Sequence, residues 1–194
     1  MKKLIAIAVL GFASVAQAAV SGSSHDFSDN VAGAAGQTCV FCHAPHNTNI
    51  GQAGAPLWNR VTNARAYTVY TSTTVNQTAV QPNANSLTCL ACHDGATGDV
   101  AVLFGKTLTG GPYNPGGNVN VGQDLQNDHP VGITYPGAVA GQFNALPASL
   151  PLYTTAAATK MECGTCHDPH LTTYGRFLRV SNASSALCTS CHIK

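Results

Sequence analysis

Four times this chain reads Cys-x-x-Cys-His: at Cys39, Cys42 and His43; at Cys89, Cys92 and His93; at Cys163, Cys166 and His167; and at Cys188, Cys191 and His192. All eight cysteines of the sequence fall in these units, and none is left over. Two of the units are longer. CVFCHAPH at 39–46 and CGTCHDPH at 163–170 each add a histidine three residues after the first, His46 and His170.

The spacing dictates a chemistry. Two thiols three residues apart share one turn of helix. From there they reach the two vinyl groups on one edge of a porphyrin. The residue that follows lies over the ring, and its imidazole meets the iron. C-x-x-C-H is accordingly the attachment signature of c-type haem, and four of them imply four covalently bound haem c. Zinc knuckles also use paired cysteines, but zinc does not require a histidine directly after the second one. A thioredoxin-like redox pair would need a surrounding βαβ pattern, which the chain lacks.

Histidine bookkeeping extends this. Of eight histidines in the sequence, four follow the cysteine pairs; His25, His46, His129 and His170 remain. Four irons need four distal ligands, so each haem is expected to be bis-histidine. The competing ligand is methionine, which beyond the N-terminal segment occurs only as Met161. Its other reading is packing against a haem edge.

His46 cannot close over its own haem. It is three residues from His43, about 4.5 Å along a helix axis, and cannot pass around the porphyrin. Each doubled motif therefore staples two different haems. Ligands recur in order, with a single histidine, a doubled motif and a plain motif at about 25–93 and again at 129–192. The repeat is expected to be one of ligands more than of backbone. Following it, His170 is expected on haem two, His25 on haem one and His129 on haem three. His46 is then expected on haem four of a neighbouring copy, which links subunits head to tail.

The motifs and the residues near them, CVFCHAPHN with PLWNR and NDHPVG ahead of CGTCHDPH, resemble the doubled C-x-x-C-H multihaem cytochromes of metal-respiring bacteria. They are most similar to the OmcE-type tetrahaem filament cytochromes. That resemblance implies haems stacked in a continuous line, all bis-histidine, with one ligand per subunit donated to its neighbour.

Composition sets the remaining bounds. Charged residues are 9% of the sequence and the formal net charge is +1, which excludes the basic face that nucleic acid requires. With 19 glycines and 10 prolines, the fold is expected to be mostly irregular and loop-rich, with short α-helices around the motifs and a haem-packed core. One helix is expected from Asn182 to Cys191, and residues 66–70 are expected to be a short strand or an extended run. Lys2, Lys3, an apolar run from Leu4 to Val15 and Ala16-Gln17-Ala18 read as a secretion signal over 1–18. Residues 19–194 then form one domain with no membrane span. The chain is expected to be exported, to the cell surface or beyond, or else to the periplasm. Its expected work is electron transfer with other redox proteins or extracellular acceptors. A soluble shuttle is the alternative, and a multihaem enzyme would need an open iron face.

Overall fold

Each C-x-x-C-H unit lies in a local helical turn. The N–H of the proximal histidine donates to the carbonyl of the first cysteine: His43 to Cys39 at 2.9 Å, His167 to Cys163 at 3.0 Å and His192 to Cys188 at 2.8 Å. The first unit is a 3-10 turn, Cys39–Phe41. The second ends α1, Ala84–His93. The third is α2, Cys163–Cys166, and the fourth overlaps α3, Ala186–Thr189. The computed structural model describes residues 19–28, 36–46, 57–59, 65–95, 117–154 and 159–194. The signal segment 1–18, Pro56, Arg60 and the turn signals at 110–116 lie outside them.

The expected loop-rich architecture with short helices is what the described residues show. The helix expected from Asn182 to Cys191 is interrupted. A 3-10 turn, Ala183–Ser185, precedes α3, and Ser184 and Ser185 have φ of 53° and 62°. Left-handed backbone there breaks the hydrogen-bond ladder. The 66–70 run is extended, paired at only one point, Thr68 with Asp124. Tyr67 is buried, and its hydroxyl donates to Asp94 at 3.2 Å.

A small antiparallel sheet was not legible in the sequence. It is β1, Ile133–Thr134, β2, Tyr153–Thr154, and β3, Thr159–Met161, in the order β1-β3-β2. Strands of two or three residues leave no alternation to read. The register sets Ile133 against Met161 and Tyr153 against Lys160. Behind the sheet, Ile133, Tyr135, Leu150, Met161 and Cys191 pack together, while Tyr67, Leu90 and Leu125 form a separate cluster. Both clusters include or adjoin a motif.

Gly132 joins the sheet to the loop at Val80. Its N–H donates to Met161 at 2.8 Å, and its carbonyl accepts from Val80 N–H at 3.1 Å. Its φ is +69°, and an added Cβ would strike the Val80 carbonyl oxygen. Gly132→Ala is expected to destabilise the protein by about 1–3 kcal/mol, from left-handed strain and the displaced carbonyl. Thermal unfolding of the wild type and variant with haem attached measures this; equal midpoints would contradict it.

α1 and α2 are fastened at their N-termini. Asn83 caps α1, its side chain accepting from Asn85 N–H. Glu162 caps α2 in a reciprocal pair with Thr165. The buried Glu162 carboxylate also accepts from Ser86 Oγ at 2.5 Å and from Asn83 N–H at 3.3 and 3.4 Å. Ser86 Oγ in turn accepts from Cys163 N–H at 2.9 Å, and Asn85 Oδ1 from Gly164 N–H at 2.8 Å.

Around the two doubled motifs the repeat includes backbone hydrogen bonds as well as ligands. Around motif one, Ala44 N–H donates to Leu57 and Asn59 N–H to Cys42, both at 2.9 Å. Around motif three, Asp168 N–H donates to Phe177 at 2.8 Å and Arg179 N–H to Cys166 at 2.9 Å. Leu57 and Phe177 both have positive φ, 52° and 56°. Even the side chains correspond. Asn59 donates to the Val40 carbonyl, and Arg179 donates to the Gly164 carbonyl at 2.6 Å. Loop lengths differ enough to conceal this match in the sequence.

Candidate functional site

Two of the proximal histidines are oriented by their second ring nitrogens. His93 Nδ1 lies 2.7 Å from the Val119 carbonyl oxygen and His167 Nδ1 lies 2.9 Å from that of Arg176. An Nδ1–H donated to a carbonyl leaves the lone pair on Nε2, free for a metal. The clamps described above hold His43 against Trp58 and His167 against Leu178 in single antiparallel bridges, and Phe143 does the same for His192.

Three of the four proximal rings face a second histidine. The ring centroids of His43 and His170 are 6.0 Å apart, those of His25 and His93 6.1 Å, and those of His129 and His192 6.4 Å. An iron held by two imidazoles, with bonds of about 2 Å and ring centres about 1.1 Å behind each ligating nitrogen, sets the centroids roughly 6 Å apart. The donor set therefore fits bis-histidine haem. The interplanar angles of 18°, 87° and 71° are within what rotation about the axis through the iron allows. Zinc would instead gather four ligands; among the described residues no three His, Cys, Asp or Glu side chains converge on one point.

These pairs differ from those expected. His25 faces His93 of motif two rather than His43 of motif one, His170 faces His43 rather than His93, and His129 faces His192 of motif four rather than His167 of motif three. Each single histidine closes over the plain motif of its own half. The physical reason is in the packing. Phe177, which follows the second doubled motif, stacks on His25 at 4.4 Å and holds it toward His93. Burial, then the nearby His93 and His170, pulls the His25 pKa below its ordinary value, which favours the neutral, ligating form.

His167 and His46 are left. Both are exposed, and among the described residues neither ring faces another imidazole. Motif three opens on a cleft of about 170 Å³. Cys163, Cys166 and His167 line it, with Leu90, Leu125 and Met161 among its apolar walls. Met161 belongs both to this wall and to the core behind the sheet. His129 also lines this cleft, but its ring is the one near His192.

The attachment thiols of successive motifs are neighbours. Cys89 is pushed up first by a hydrogen bond with Cys163, and the Cys42 thiol acts on it too. Cys166 is pushed up to about 11 by burial and then by Cys191, Cys163 and Cys188. Motif one thus adjoins two, two adjoins three, and three adjoins four. No helix among the described residues is long and apolar enough to cross a membrane.

No curated protein matches the chain. A family model described as "Doubled CXXCH motif" matches residues 156–194, which hold the last two units, and that motif points to covalently bound haem c and to electron transfer.

Proposed function

We propose that the chain is an electron carrier, not an enzyme, holding four haem c groups, each between two imidazoles. The observation that carries this is the facing of three proximal histidines by three others, at the separation one iron fills. When bound, haem supplies one-electron exchange between ferric and ferrous iron. The chain attaches each group through two thioethers and closes both axial positions, which denies small molecules an open face. The adjacency of the thiols, one to two to three to four, supports a continuous line of haems and a core completed by them.

The reading extends to assembly. A second copy that sets its His46 over His167 completes both side chains. The acceptor in the neighbour is then haem three and not haem four, because His129 already lies over His192. Such a junction is head to tail and need not close, so it builds an open filament. A net charge of +1 opposes it little. The N-terminal signal supports export, and the resemblance to filament cytochromes supports a position at or beyond the cell surface, with extracellular acceptors or other redox proteins as partners. A monomeric periplasmic shuttle is the second reading. In it, His46 turns back onto His167 of its own chain, mirroring the way His170 already lies over His43.

His129→Ala tests the ligand set. Intact mass should still equal the polypeptide plus four haems, while one haem becomes high-spin and, once reduced, binds carbon monoxide. The wild type should bind none. An unchanged spectrum in the variant would remove His129 from the ligands and undo the histidine count.

A further inference from the structure

The second nitrogens of the axial histidines do not all meet the same kind of atom. His93, His129 and His167 point theirs at backbone carbonyls, of Val119, Pro130 and Arg176. His170 differs: its Nδ1 lies 3.1 Å from Asp168 Oδ1. An ionised carboxylate only accepts, so the proton sits on Nδ1 and the lone pair on Nε2. The other Asp168 oxygen pairs with Arg179 NH1 at 3.1 Å. At His25, by contrast, Nδ1 is buried with no hydrogen-bond partner among the described residues.

We propose that Asp168 polarises His170 toward imidazolate and so gives haem one a lower reduction potential than a neutral ligand would. The proposal rests on the reading above that His170 ligates that iron. A carboxylate behind a metal-bound imidazole raises its basicity. A more basic ligand favours the ferric state, which carries one more positive charge. Arg179 opposes the effect without cancelling it, since the carboxylate touches the imidazole directly and the guanidinium reaches it only through Asp168.

The two doubled motifs show that this device is an addition and not a requirement of the clamp. Asn59 and Arg179 make the same contact to the carbonyl after the first cysteine. Only Arg179 continues to a carboxylate, and the position of Asp168 in motif three is Ala44 in motif one. Backbone geometry is shared; the charge behind the second histidine is not. Side chains of Asp168 and His170 are 21% and 45% exposed, so solvent weakens the coupling, and the expected effect is confined to one haem.

Asp168→Asn is the test, because asparagine can still accept from His170 N–H, as Oδ1 does now at 3.0 Å. Potentiometric titration of the haem-loaded protein should move one of the four potentials upward and leave the others in place. Haem one is identifiable by paramagnetic resonance, since its ligand planes are 18° apart while those of haems two and four are 87° and 71° apart. Its ferric near-infrared charge-transfer band should move to longer wavelength. Arg179→Gln should shift the same haem the opposite way. Four unmoved potentials in Asp168→Asn, or shifts of one sign in both variants, would overturn the proposal. His170→Ala separates it from the reading beneath it. A new high-spin haem there upholds ligation whatever Asp168 does, and none would sink both.

Discussion

His46→Ala is expected to abolish assembly while leaving the subunit folded and fully haem-loaded. His46 is exposed and faces no imidazole among the described residues, so its removal costs its own subunit little. At the junction it removes a metal–ligand bond, and no interface of ordinary size is implied to replace it. Microscopy should show single particles in place of filaments. The spectrum should gain one high-spin haem, because haem three loses its distal ligand. In the His46→Ala, His129→Ala double variant two haems should be high-spin, since the histidines serve different irons. Filaments that persist with every haem low-spin would transfer the weight to the monomeric shuttle.

The second large effect is at Glu162. Replacing it with leucine leaves the Ser86 hydroxyl and the Asn83 N–H without their acceptor between α1 and α2. Each lost acceptor on a buried donor costs about 1–3 kcal/mol, so a total of about 3–5 kcal/mol is expected. The carboxyl also titrates. Burial raises its pKa above the ordinary carboxylate value, and hydrogen bonds from Ser86 and Asn83 and the charge of Lys160 pull it partly back. The folded state therefore holds this proton more tightly than the unfolded state. Its contribution is fully present below the ordinary carboxylate pKa and is lost as pH rises through the raised folded value. Denaturant unfolding across mildly acidic pH should show that decline in the wild type. Glu162→Gln, which keeps an acceptor, should flatten it; equal slopes would dissociate Glu162 from the pH response.

Local chemistry was legible in the sequence; pairing was not. Cys-x-x-Cys-His specifies a thiol pair and a proximal imidazole within five residues, and the structure closes three of these turns by a hydrogen bond inside the motif. That His46 and His170 cannot serve their own motifs also followed from spacing alone. Which proximal histidine each remaining histidine faces depends instead on remote contacts: Phe177 against His25, the clamps after each doubled motif, and the fastening of α1 to α2. Leu57-Trp58-Asn59 and Phe177-Leu178-Arg179 share a backbone path with no residue in common, so nothing in their letters announces it. The sheet at 133–161 escaped because its strands are shorter than the period used to find strands.

The fastening at Ser86 and Glu162 joins positions 76 apart in sequence, and the neighbouring bond from Asn85 to Gly164 spans 79. Contacts of that separation carry a loop-closure cost and form late. A chain emerging N-terminus first presents Cys89, Cys92 and His93 before any residue of their eventual partner helix exists outside the exit. The thioether chemistry at that motif must therefore act on a segment whose only native structure is its own helical turn. This accounts for a recognition unit of five residues that needs no tertiary context. It also leaves His25 without the Phe177 ring that stacks on it until residues 162–179 arrive.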